Sequence, residues 1–236
     1  MSENDNTLIS HLEALRRTLI ACVAVTALAY PVGFFVSPYV INFLVQWSFP
    51  ESIGKLHYFA PMEVFWVQLK LALILALGIA YPWNVWQLWR FLLPALYKGE
   101  RKALGCWVVL ATVLFLGGVA FCIGVILPLL MNFSGGFATP ELQPILGLAN
   151  FLNLAGWLML SFGVMFQWPV LVLLAVRFGV ISAETLAKKR PYIMTVILIV
   201  AAILTPPDVV SQIMLAVPTW LLFELGLFLA KRMEKK

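Results

Sequence analysis

Charge is scarce in this chain. Only 11% of its 236 residues are Asp, Glu, Lys or Arg, while 62% are hydrophobic. The mean hydropathy is +0.95. Soluble domains carry about 25% charged residues, so this composition excludes one and indicates a polytopic membrane protein. Cysteine is equally sparse. Cys22, Cys106 and Cys122 are odd in number, lie within apolar runs and lack metal-ligand spacing, so they read as small buried hydrophobes. There is no G-x-S-x-G, no H-E-x-x-H and no phosphate-cradling Gly-rich loop, and His11 and His57 fall on opposite sides of the membrane in the topology read below. No catalytic residue, metal site or cofactor is therefore expected, and the chain does not read as an enzyme. The formal net charge is +5, but the bases stand in short clusters beside apolar spans, so nucleic acid is not an expected partner.

Apolar runs and short connections alternate along the chain. Residues 1–10 are polar and slightly acidic, and Leu12, Leu15, Leu19 and Cys22 then recur at helical spacing. This pattern predicts an amphipathic helix that lies on the surface and runs into the bilayer. The first apolar span is 18–36. Arg16-Arg17 and Ala27-Leu28-Ala29 also resemble a cleavable leader, against which stand Glu3, Asp5, Glu13 and the apolar run that continues past the cut. Residues 37–62, with Pro38, Pro50, Gly54 and Pro61, predict an external loop long enough to include short surface helices. Spans follow at 64–89, 103–130 and 151–176. Between them lie a basic connection, a second external loop at 132–150 and, after the fourth span, another basic connection at 177–192. The last two runs, 192–204 and 209–223, measure about 20 and 22 Å against a hydrocarbon core of roughly 30 Å, which predicts short fifth and sixth helices in a locally thin membrane.

All Lys and Arg except Lys55 and Lys70 fall on one side of this topology. The positive-inside rule makes that side cytoplasmic. The expected fold is therefore all-α, with six transmembrane helices and both termini in the cytoplasm. Four polar features stand out against the apolar background. Glu100 lies among Lys98, Arg101 and Lys102 at the inner surface, where the rule accounts for the bases but not for the acid. Together with Glu13 it suits the capture of a planar, permanently charged guanidinium. Glu63 and Lys70, seven residues apart, share a helix face about 10 Å along the axis, forming a polar patch unless Lys70 snorkels to the interface. Gln167 sits at membrane depth, facing other helices or a water-filled cavity. Glu224 follows in the sixth segment. A secondary transporter using Gln167 and Glu224 is the alternative, though paired Gly/Pro-interrupted segments in two matching halves are missing.

In order along the chain, His11-Leu-Glu-Ala-Leu-Arg16, Trp89-Arg-Phe-Leu-Leu-Pro-Ala-Leu-Tyr-Lys-Gly-Glu-Arg101, Phe162-Gly-Val-Met-Phe-Gln-Trp-Pro169, Lys188-Lys-Arg-Pro-Tyr192 and Leu204-Thr-Pro-Pro-Asp-Val209 resemble the successive motifs of the TatC family. That family comprises the receptor subunits of the twin-arginine protein translocase. The resemblance covers essentially all of residues 1–236 and implies a single integral membrane domain, glove-shaped with a concave face, in the cell inner membrane. It implies binding of twin-arginine signal peptides on folded cargo, export driven by the proton-motive force, and no nucleotide. The implied partners are TatA-type and TatB-type single-span subunits beside the fifth and sixth helices, membrane lipid, and further copies of the chain within a larger complex.

Residue by residue, the resemblance puts Glu100 at the family's twin-arginine-binding acid, with Phe91, Pro94, Leu96 and Tyr97 shaping that site. The amino-terminal motif departs from the family's His-Leu-x-Glu-Leu-Arg. Its arginine is Arg16, but Ala14 occupies the acidic position, and Glu13 lies one residue earlier, about 100° round the helix. Gln167 stands where many members have Glu, which leaves a polar group without the charge. Asp208, in the external turn with Pro207, and Glu224 match further family acids, for which capping or pairing roles are expected.

Overall fold

The computed structural model describes residues 3–48, 56–92, 101–136, 145–205 and 209–234. These residues form helices α1 (Glu3–Ser48), α2 (Glu63–Leu92), α3 (Arg101–Phe121), α4 (Leu127–Gly135), α5 (Leu148–Met165), α6 (Trp168–Arg177), α7 (Ala183–Lys188), α8 (Arg190–Leu204) and α9 (Val209–Glu234), with one π turn, Cys122–Ile126, joining α3 to α4. No strand occurs among the described residues, only an isolated bridge between His57 and Gly147. Five stretches are long and apolar enough to cross a membrane: Leu12–Ser48, Glu63–Phe91, Gly105–Gly135, Leu148–Arg177 and Val209–Glu234. The shorter α8 has 15 residues and rises about 22 Å.

α1 corrects the expected external loop at 37–62, because the helix runs unbroken through Pro31 and Pro38 to Ser48. A proline has no N–H for the carbonyl four residues back. At Pro38 that carbonyl belongs to Phe34, and the Ser37 hydroxyl donates to it at 2.8 Å. Neighbouring packing does the rest. On α1, Ala29, Gly33 and Ser37 are buried at four-residue spacing, facing Ala72, Ala76 and Ala80 on α2. Small residues at this period let two helix backbones approach closely in lipid. At Gly33 the approach is tightest: a Cβ there would stand 2.5 Å from the Ala72 carbonyl oxygen. α3 and α5 meet in the same way, with Gly118 against the backbone of Phe162.

Two other spans are interrupted. Ahead of Pro128 the third widens into the π turn, with Leu127 N–H donating to Cys122 O. The fourth, read as one run at 151–176, breaks at Phe166–Gln167, and α6 restarts with Pro169 in its first turn. Its far end closes on Gly179, at φ +67°, with Gly179 N–H donating to Val176 O and Val180 N–H to Ala175 O. That pattern satisfies the last carbonyls of the helix through a left-handed residue. The sixth helix is not short. The apolar run 209–223 is only the first part of the 26-residue α9, which rises about 39 Å through Glu224 to Glu234.

The main core gathers around Phe162, Leu158, Phe223, Leu215 and Leu227, all buried, with Leu44 from the Ser48 end of α1. α6 packs on α9, α8 on α9, α3 on α5, and α2 on both α3 and α5. α1 packs chiefly on α2.

Candidate functional site

The antiparallel pair α1 and α2 sets the level of the described groups at the end where Glu13 and Phe91 lie. Besides the Gly33–Ala72 contact, Tyr30 Oη donates to Leu69 O at 3.3 Å and Asn84 Nδ2 to Thr26 Oγ1 at 3.2 Å. Carried along both helices, this register brings Arg16 level with Trp89 and Arg90, and Glu13 level with the last turn of α2, where Phe91 lies. Glu13 and Arg16 are exposed, whereas Phe91 is half-buried. The acid, the base and the ring thus share one end of one helix pair, at the point from which the chain leaves α2 toward residues 93–100.

Gln167 has a structural occupation. Its own N–H donates to Val164 O at 3.0 Å where the helix breaks, which leaves Gly163 O without its usual partner four residues on. The Gln167 side chain supplies the substitute: Nε2 donates to Gly163 O at 3.3 Å and to Ala111 O of α3 at 3.1 Å. One amide therefore repairs the break and ties it to the neighbouring helix. Glu224 is not a lone intramembrane acid either. Arg190 Nη2 donates to its Oε2 at 2.8 Å, with side-chain exposures of 45% and 31%. Nearby, Glu234 Oε1 accepts from Ala183 N–H at 3.1 Å, and the Ser182 hydroxyl caps α7 by accepting from Thr185 N–H. The second basic connection is thereby fastened to α9 at two points, Ala183 and Arg190. With both residues engaged, the transporter alternative loses the two groups it called on.

The family model for the Sec-independent protein translocase protein TatC matches residues 10–218. The chain belongs to the TatC family. It is 32% identical over 237 residues to the Sec-independent protein translocase protein TatC of Carboxydothermus hydrogenoformans, covering 100% of this chain and 97% of that one. To the protein of the same name from Escherichia coli K12 it is 34% identical over 235 residues, covering 97% and 90%. A crystal structure of the twin arginine translocase receptor TatC superimposes with a TM-score of 0.83 at 31% identity, covering 94% of this chain and 98% of that one.

Of the candidate site residues, Glu13, Arg16 and Phe91 come to one level at one end of the α1–α2 pair, and Gln167 and Glu224 take the packing roles described above. Glu100, Pro94, Leu96, Tyr97, Pro207 and Asp208 lie outside the described residues. The expected patch between Glu63 and Lys70 does not form. Glu63 Oε2 accepts from Phe59 N–H at 2.6 Å and Ala60 N–H at 3.2 Å, while Oε1 accepts from Ala149 N–H at 3.1 Å in the first turn of α5. This carboxylate clasps the connection before α2 to the start of α5, beside the His57–Gly147 bridge. The sequence offers no signal for it, because its key partner lies 86 residues away.

Proposed function

We propose that this TatC-family chain is the signal-peptide receptor and assembly core of a twin-arginine translocase in the bacterial cell inner membrane. In this reading it is a six-span protein with both termini in the cytoplasm. It binds the twin-arginine motif of folded cargo at the cytoplasmic face, and recruits TatA-type and TatB-type single-span subunits for export driven by the proton-motive force. The observation that carries this reading is the shared level of Glu13, Arg16 and Phe91 at the end of the α1–α2 pair, next in the chain to the segment bearing Glu100. Guanidinium groups bind most strongly to carboxylates that can accept two parallel N–H bonds. Glu100 is assigned as the principal acid, with Pro94, Leu96 and Tyr97 around it, and Glu13 as its complement in place of the acid missing at Ala14. Full-length agreement with TatC proteins supports the assignment, and the exposure of Glu13 leaves it accessible to a peptide.

The test is crosslinking of a photoreactive twin-arginine signal peptide to the protein in membranes. Wild type should crosslink, and Glu100→Gln should abolish it. Loss in Glu13→Gln as well would establish a two-acid site, whereas loss in Glu100→Gln alone would mean that one acid suffices. An unchanged crosslink in Glu100→Gln would overturn the receptor assignment.

A further inference from the structure

Lys70 stands within the apolar helix α2, exposed, and without a hydrogen-bond or ion-pair partner among the described residues. The α1–α2 register gives its depth. Arg16 and Arg90 share one level, and Lys70 follows twenty residues away on α2, about 30 Å, which is one hydrocarbon thickness. Lys70 thus marks the membrane boundary opposite Arg16 and Arg90. Helical side chains lean toward the helix N-terminus, which for α2 means toward the headgroups on that side. The ammonium can therefore sit among phosphates while its stem stays in hydrocarbon.

Directly below Lys70 a groove of about 590 Å³ opens between α1 and α2, lined by Val23, Ala27 and Tyr30 on one side and by Leu73, Leu77 and Asn84 on the other. Leu73 and Leu77 continue the face of Lys70 at three and seven residues on. At the deep end Thr26 Oγ1 donates to Cys22 O at 2.9 Å and accepts from Asn84 Nδ2 at 3.2 Å, while Asn84 Oδ1 is buried without a hydrogen-bond partner among the described residues. From Leu73 to Asn84 the groove runs about 16 Å along α2. One cation at headgroup level above an apolar groove is the complement of an anionic amphiphile.

We propose that this groove holds one anionic phospholipid of the leaflet opposite Arg16 and Arg90, with its phosphate on Lys70 Nζ and one acyl chain between α1 and α2. This site is independent of the signal-peptide reading, since it lies at the other membrane boundary. The experiment reconstitutes the full chain in nanodiscs of equal phosphatidylglycerol and phosphatidylcholine, then counts lipids retained after detergent release by native mass spectrometry. Wild type should keep one phosphatidylglycerol in preference to phosphatidylcholine, and Lys70→Arg should keep it too. In Lys70→Gln the preference should drop about fivefold, the scale expected for one base at a charged lipid surface. Val23→Trp, at a position that is 68% exposed and so tolerant of a large ring, should expel the lipid with Lys70 intact. Equal retention in Lys70→Gln, indifference to headgroup charge, or unchanged retention in Val23→Trp would each overturn the proposal.

Discussion

Replacing Gly33 by alanine tests the α1–α2 seam directly. An alanine methyl at this position would lie 2.5 Å from the Ala72 carbonyl oxygen and 3.2 Å from the Ala76 nitrogen, both backbone atoms of α2. Neither can turn aside as a side-chain end can, so the helices must separate by nearly an ångström to restore an ordinary contact of about 3.4 Å. Overpacking of this kind costs about 1–3 kcal/mol. Gly78→Ala is the matched control, because it lies on α2 with nothing within 4 Å of the added methyl. Both substitutions share the gain of about 1 kcal/mol for removing a glycine from a helix interior, so that term cancels in their difference. Gly33→Ala should therefore be less stable than Gly78→Ala by about 1–3 kcal/mol. Equilibrium unfolding by sodium dodecyl sulfate in mixed micelles, followed by circular dichroism, gives that difference. Equal midpoints for the two variants would refute the close approach of α1 and α2 and, with it, the register that levels Glu13 with Phe91.

Two further substitutions address the polar repairs. Gln167→Leu keeps the side-chain volume but withdraws both donated hydrogen bonds. It should destabilise the protein by about 1–3 kcal/mol in the same unfolding experiment, as expected for carbonyls left short of a partner at membrane depth. An unaffected midpoint would show that Gln167 does not hold the α5–α6 break to α3. Glu63→Ala removes the acceptor shared by three backbone amides, so hydrogen exchange at Phe59, Ala60 and Ala149 should speed up together while exchange in α9 stays unchanged. Faster exchange at only one of the three would mean that the carboxylate does not join the two connections.

The apolar spans, the basic edges and the order of the motifs were legible from composition and local pattern, because bilayer insertion acts on residues close together in sequence. What escaped had long-range or compensated causes. Pro38 reads as a breaker, yet Ser37 repairs the lost bond and the small-residue seam carries the helix on to Ser48. Gln167 was recognised as polar at depth, but its acceptor on Ala111 is 56 residues away. The length of α9 was hidden by Glu224, which ends the apolar run without ending the helix, since Arg190 arrives from α8 to pair with it. The departure at Ala14 was visible in the sequence. The level that Glu13 shares with Phe91 needed the packing of α1 on α2.

α1 is supported unequally along its length. Its half toward Ser48 is clamped, with Leu44 in the main core and Gly33 against α2, while toward Glu13 its polar contacts with α2 are those of Tyr30, Thr26 and Cys22. The helix therefore behaves as a cantilever, in which deflection grows with distance from the clamp. Glu13 lies about 14 Å beyond Cys22, so a tilt of about 5° there displaces this carboxylate by roughly 1.2 Å. Stiffness along these contacts thus sets how tightly the Glu13 end of the helix is held in position.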